Sequence, residues 1–108
     1  MYEYRALVTR VYDGDTVTVD IDLGFGVSLK SQKIRLSRIN APEIRGSERQ
    51  AGLVARNALR EKICGRWVIL RTKKDKKGKY GRWLGELWLA DLSINEWMLS
   101  EGYAKKYM

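Results

Sequence analysis

Three short clusters in this chain carry the residue types that bind phosphate or hard cations. Asp13-Gly14-Asp15-Thr16 sets two carboxylates on a tight turn, since Gly accepts positive φ and Asp can bond its own backbone. Two carboxylates so placed can offer hard oxygens to Ca2+ or Mg2+. Taken singly, the motif is more often a plain turn with solvated acids. In the second cluster Arg35 leaves a strand, and Asn40 and Glu43 flank Pro42 in the loop that follows. Pro42 biases Ala41 toward an extended conformation, which aims the preceding carbonyl and the Glu43 carboxylate toward a common point. Its plainer reading is a strand exit, a proline turn and surface charge. The third cluster, Lys79-Tyr80-Gly81-Arg82, ends a basic run. Tyr80 and Arg82 make an aromatic-plus-guanidinium phosphate site, although a charge run is usually a solvated face.

Composition narrows the chemistry. There is no histidine, so neither the usual neutral-pH base nor the commonest transition-metal ligand is present. Carboxylates, arginines, lysines or a hard metal ion must do the work. The formal charge is +8, from 21 Lys and Arg against 13 Asp and Glu, which favours a polyanionic partner. Cys64 is the only cysteine, which excludes an internal disulfide, and its apolar surroundings predict a buried structural thiol. No apolar run reaches membrane-spanning length and no signal-peptide core follows Met1. The expectation is a soluble chain without a membrane or an obligate protein partner, cytoplasmic or secreted after processing.

These clusters need elements to hold them. With 108 residues the chain fits a single domain, 1–108. Residues 4–12 and 27–37 are rich in strand formers, and 15–22 alternate, with Val17, Val19 and Ile21 on one face. Ser47 and Gln50 form a capping-box pattern; Ala51, Val54, Ala55, Ala58 and Leu59 then share a helical face, and Gly65 supplies the stop. Residues 66–72 and 83–90 are strands separated by the polar run 73–82. A second capping box, Ser93 to Glu96, opens a helix that Gly102 closes. Three strands, a helix, two strands and a helix give a mainly β chain with helices (α+β). The ordering is that of a five-stranded OB-fold barrel, one helix after strand 3 and one after strand 5, although other α+β sheets share it. Trp83, Trp88 and Trp97 are core residues or a base platform, Trp97 being assigned to the core.

Together the clusters resemble the signature of the staphylococcal nuclease (thermonuclease) family. Asp13-Gly14-Asp15-Thr16-Val17, Arg35-Leu36, Ala41-Pro42-Glu43, Lys79-Tyr80-Gly81-Arg82 and Asn95-Glu96 stand in that family's order and spacing, from about Val8 to Lys105. The resemblance implies an OB barrel and Ca2+-dependent endo- and exonucleolytic cleavage of DNA, preferably single-stranded, and of RNA, leaving 3′-phosphates. By position, Arg35 and Arg82 resemble the arginines that grip the scissile phosphate, and Glu43 the base acting on the attacking water. Asp15 resembles a direct calcium ligand with Asp13 in support, Asn40 and the Ala41 backbone carbonyl standing at the other ligand positions. Lys79 and Tyr80 resemble residues that bind a second phosphate and pack on the nucleotide, and Asn95 a structural residue. The roles make physical sense: a metal and two guanidiniums stabilise charge on a pentacoordinate phosphorus, and a chain without histidine needs a carboxylate base.

Asn40 departs from the pattern, standing where the family carries a second calcium-binding aspartate. Its amide oxygen can coordinate Ca2+ without bringing charge, so weaker affinity or a shift to Mg2+ or Mn2+ is expected. Ala41 replaces a threonine, which matters less for a carbonyl ligand. The family's usual third helix, with a tyrosine of the nucleotide pocket, is expected to be lacking, and Tyr103 and Tyr107 are candidates to replace that tyrosine. Two other readings stand beside the enzyme. One is a catalytically weak or inactive nucleic-acid-binding OB module; the other is a basic RNA-associated protein with no site.

Overall fold

Alternation along the second strand folds the chain around a core. The computed structural model describes residues 2–77 and 82–107. In chain order its elements are β1 (Tyr2–Asp13), β2 (Thr16–Gly24), β3 (Val27–Leu36), β4 (Ile39–Asn40) and a 3-10 turn (Gly46–Glu48). There follow α1 (Arg49–Ile63), β5 (Trp67–Lys77), β6 (Trp83–Leu89), β7 (Leu92–Ser93), α2 (Ile94–Ser100) and β8 (Lys105–Lys106). Strand β1 lies antiparallel between β2 and β5, with β3 beyond β2 and β6 beyond β5. A parallel pairing of β3 with β6, through Ile34–Trp83, Arg35–Leu84 and Leu36–Gly85, closes the five long strands into a barrel. The architecture is the expected OB type, a mainly β barrel with two helices among the described residues.

Val8, Val17, Val19, Ile34, Leu36, Leu70 and Leu87 fill the interior, and Leu59, Ile63, Ile94 and Met98 bring in the helices. Burial of these aliphatic side chains is the main stabilising term, worth about 1.5–3 kcal/mol each. The register between β1 and β2 slips between Val8 and Arg10. Before this bulge Ala6 and Val8 face inward; after it Val11 and Asp13 do, while Thr9, Arg10 and Tyr12 are exposed. One extra residue thus switches the inward parity of β1 and turns Arg10 outward.

Several local expectations are corrected. Ser47 does not cap α1: it lies inside the 3-10 turn, and Glu48 stands at the N-cap without a side-chain cap bond. The buried face of α1 is Gly52, Ala55, Leu59 and Ile63, so the expected face is rotated, and Val54 is 58% exposed. Cys64 is exposed, because it follows Ile63 at the C-cap, where an extended backbone carries it off the inward face. Strand β5 continues to Lys77, into the run expected to be a loop. There Lys77 pairs with Trp83, a backbone pairing that hydrophobic alternation cannot reveal. The short strands β4, β7 and β8 were also not anticipated. Trp97 is half-buried against the core beside Tyr103, and Trp83 packs there too while donating to Gln32 Oε1 at 3.1 Å. No described helix is long and apolar enough to cross a membrane.

The cap at α2 holds: Ser93 Oγ accepts from the Glu96 amide at 3.3 Å. One residue on, Asn95 is fully buried and joins three segments. Its Oδ1 accepts from the Leu87 amide at 3.1 Å, while Nδ2 donates to the Ser37 and Gly85 carbonyls at 2.9 and 3.2 Å. Removing the amide leaves buried backbone groups without partners. Asn95→Ala should therefore cost about 3 kcal/mol, read as a lower urea midpoint at unchanged slope.

Candidate active site

An open cleft of about 530 Å3 lies against the outer face of β1–β2–β3, and Asp13, Asp15, Arg35, Asn40, Glu43 and Arg82 all line it. The acids come from the β1–β2 turn, Arg35 from the end of β3, Asn40 from β4 and Glu43 from the loop leading to α1. Arg82 immediately precedes Trp83, so the parallel pairing that closes the barrel brings it to β3. Six of the residues singled out from sequence thus share one cavity. Lys79 and Tyr80 lie outside the described residues.

Asp15 is the joint of the site. It is 6% exposed; Oδ2 accepts from the Ala41 amide at 2.8 Å and lies 3.5 Å from the Arg35 guanidinium, while Oδ1 accepts from the Thr16 hydroxyl at 3.1 Å. Arg35 is held from the other side as well. It donates to the Leu36 and Ile39 carbonyls at 2.7 and 2.9 Å and to Asn40 Oδ1 at 3.3 Å. A guanidinium tied at these points has little rotamer freedom left to lose on meeting a phosphate. Ala41 itself is buried and reaches the site through its amide.

Two glycines permit this assembly. Gly14 was expected to supply a positive φ, yet its φ is not among the positive ones; its role is close approach. A Cβ there would stand 2.7 Å from the Ala41 Cβ and 2.9 Å from the Ala55 Cβ, so only Gly lets the acidic turn rest on the loop and on α1. Gly52 does the same for the loop that carries Glu43, where an added Cβ would strike the Glu43 backbone carbonyl. The Glu43 amide donates to Glu48 Oε1 at 3.3 Å, which ties the loop to the foot of the helix while the Glu43 side chain stays exposed at the cleft.

Asp13 is buried, and its carboxyl is raised to about 7. Desolvation is the largest cause, followed by the hydrogen bond to Asp15 and the negative charges of Asp15 and Glu43. Its Oδ1 accepts from the Asp15 amide at 3.0 Å, a contact that partly offsets the rise. The acids thus crowd one another at the edge of the cleft. The donors are all oxygen, which fits a hard divalent cation and not a thiophilic one. No three Asp, Glu, His or Cys side chains among the described residues can hold a metal unaided, so backbone and water oxygens would have to complete a shell.

The cleft also contains Thr16 of the first cluster and residues that sequence reasoning passed over: Arg10, Tyr12, Thr18 and Lys33. A period-2 reading would have found Lys33, two residues before Arg35 on the same strand. Arg10 was hidden by the bulge that reverses its face. Tyr107 is placed as well. Strand β8 pairs with β4, the Tyr107 amide donates to the Arg38 carbonyl at 2.9 Å, and the ring lies 5.8 Å from the Arg35 guanidinium. Tyr103 lies instead against Trp97.

Residues 33–108 match the family described as staphylococcal nuclease homologue. The chain is 31% identical over 102 residues to a thermonuclease of Staphylococcus intermedius, covering 92% of this chain and 57% of that protein. It is 32% identical over 101 residues to a thermonuclease of Staphylococcus hyicus, covering 91% of this chain and 56% of the other. A third relative, the Escherichia coli protein ParB, is 33% identical over 115 residues, covering 97% of this chain and 58% of that protein. The chain therefore spans a little over half the length of these relatives.

Two outcomes are expected. An acid whose pKa is raised on folding binds more protons folded than unfolded. Stability therefore falls as pH climbs from about 3.8 to about 7, and the whole cost is present above that range. Asp13→Asn, measured in EDTA, should melt higher than the parent at pH 8, with the difference vanishing toward pH 4. Gly52→Ala should lose stability by about 1–3 kcal/mol in urea despite the better helix propensity of Ala, because either α1 or the Glu43 loop must move.

Proposed function

The chain belongs to the staphylococcal nuclease family, and we propose on that footing that its cleft hydrolyses phosphodiester bonds of single-stranded DNA and of RNA. Ca2+ is the cation, cleavage is both endo- and exonucleolytic, and the products carry 3′-phosphates. The observation that supports this most is the shared lining of one cleft by Arg35, Glu43 and Arg82 beside Asp13 and Asp15.

Asp15, the Asn40 amide oxygen and the Ala41 backbone carbonyl would hold the cation, with Asp13 supporting. When bound it supplies Lewis-acid polarisation of a phosphoryl oxygen. Arg35 and Arg82 grip the scissile phosphate and stabilise the charge that grows on its oxygens. Glu43 takes a proton from the water that attacks phosphorus. The bond to the 5′ oxygen breaks, and that oxygen leaves as a hydroxyl once protonated. Lys79 and Tyr80 hold the neighbouring phosphate and pack on the nucleotide. Asn40 brings no charge to the cation, so Mg2+ or Mn2+ compete with Ca2+ more evenly than they would against a carboxylate.

A second reading, a nucleic-acid-binding OB module with little or no activity, draws on one observation. The Asn40 oxygen accepts a hydrogen bond from Arg35, so it is already engaged. Digestion of single-stranded DNA across Ca2+, Mg2+, Mn2+ and EDTA separates the two. The enzyme predicts degradation that EDTA abolishes, with Arg35→Lys and Glu43→Gln each lowering the rate by roughly 10²–10⁴ at unchanged fold. Full activity in Glu43→Gln removes that residue as the base. Salt-sensitive binding without cleavage under every cation decides for the module.

A further inference from the structure

One row of the cleft is left unused by this mechanism. Arg10 stands opposite Thr18 in the β1–β2 register, and Thr18 stands opposite Lys33 in the β2–β3 register; all three line the cleft. The row continues toward Arg82, which precedes the partner of Ile34. Arg10 is in it only because the bulge before it turns the side chain outward. Such re-aiming beside a site is a recurrent use of bulges.

Charge pairing sets this row apart. Among the described side chains of the five long strands, the other exposed cations are matched by acids: Arg5 by Asp22 at 3.8 Å, Lys30 by Asp20 at 3.7 Å, Arg71 by Glu3 at 2.7 Å. The side chains of Arg10 and Lys33 make no ion pair or hydrogen bond among the described residues. They are cations left open to the cleft, with the Thr18 hydroxyl between them.

The spacing suits a chain of phosphates. Thr16 pairs with Arg35 and Thr18 with Lys33, so the row lies one pleat repeat from Arg35, about 6.6 Å along the strands. That is a step of the order of one nucleotide in an extended strand. We propose that Arg10 and Lys33, with Thr18, bind the phosphate flanking the cleaved one on the side opposite to that assigned to Lys79 and Tyr80, so that the preferred substrate is a strand carrying consecutive phosphates and not an isolated phosphodiester. This rests on the nuclease reading above.

The test compares a single-stranded oligothymidylate with a 5′-nucleotide 4-nitrophenyl ester, which has one phosphodiester. Exposed sites take Arg10→Gln/Lys33→Gln without loss of fold. The double variant should lower kcat/KM at least roughly tenfold more on the oligonucleotide than on the ester, and flatten the salt dependence on the oligonucleotide by roughly one to two in log–log slope. A control of equal charge, Arg60→Gln/Arg66→Gln, lies outside the cleft and should do neither. Equal losses on both substrates, no loss on the oligonucleotide, or the same effect from the control overturns the proposal. If the parent cleaves neither substrate, the nuclease reading fails. The row is then judged by fluorescence anisotropy with labelled oligothymidylate, where the cleft variant must weaken binding and flatten the salt slope more than the control.

Discussion

A carboxylate with its charge removed from water must be compensated where it stands, and Asp15 is such a group. Uncompensated, it would cost several kcal/mol. Its partners come from three separate places: the adjacent Thr16 hydroxyl, the Ala41 amide across the cleft and the Arg35 guanidinium at the end of β3. Meeting that requirement fixes where the loop between β4 and α1 can lie. It also fixes why residue 14 has no side chain, since the turn must press on Ala41 and Ala55 to bring the carboxylate within reach. The same crowding buries Asp13, whose carboxyl is pushed to about 7 by desolvation first and then by its hydrogen bond to Asp15 and the negative charges of Asp15 and Glu43.

Barrel closure then decides which basic residues serve that site. The parallel pairing of β3 and β6 places Arg82 alongside a strand that carries Lys33 and Arg35, although the segments are nearly fifty residues apart in sequence. The antiparallel sheet brings Arg10 and the threonines from the other side. Asn95 supports this arrangement from beneath by bonding the Ser37 and Gly85 carbonyls, one on each of the chain segments that close the barrel. The fold and the site therefore share the pairing that closes the barrel.

Much of this was legible in the sequence because it rests on local chemistry. Val17, Val19 and Ile21 announce β2 by period, Ser93 announces α2 by its cap, and Asp13, Asp15, Arg35, Glu43 and Arg82 are recognisable by type and order. What escaped depended on contacts that a linear reading does not contain. The face of α1 was misjudged because Gly52, a poor helix former, is buried by its fit against the Glu43 carbonyl and not by hydrophobicity. Cys64 looked apolar by neighbourhood, but a cap residue leaves the helix face its neighbours define. Arg10 was invisible because a one-residue bulge reverses everything that alternation predicts beyond it.

The kind of recognition available to this cleft follows from the chemistry of its walls. Guanidiniums, an ammonium and threonine hydroxyls line it, donors suited to phosphate oxygens, which every nucleotide presents alike. Reading a base edge requires donors and acceptors set in a fixed pattern around it. Of the lining side chains, only Asn40 has both an amide donor and an acceptor, and its oxygen is held by Arg35. Among the described residues, Tyr12 lines the cleft and Tyr107 lies beside Arg35; such rings can stack on any base. On the proposed reading, selectivity resides in backbone geometry and single-strandedness. A strand must be extended enough to lay consecutive phosphates across neighbouring strand rows, and a rigid duplex holds its phosphates on a helical path that cannot follow a pleated surface.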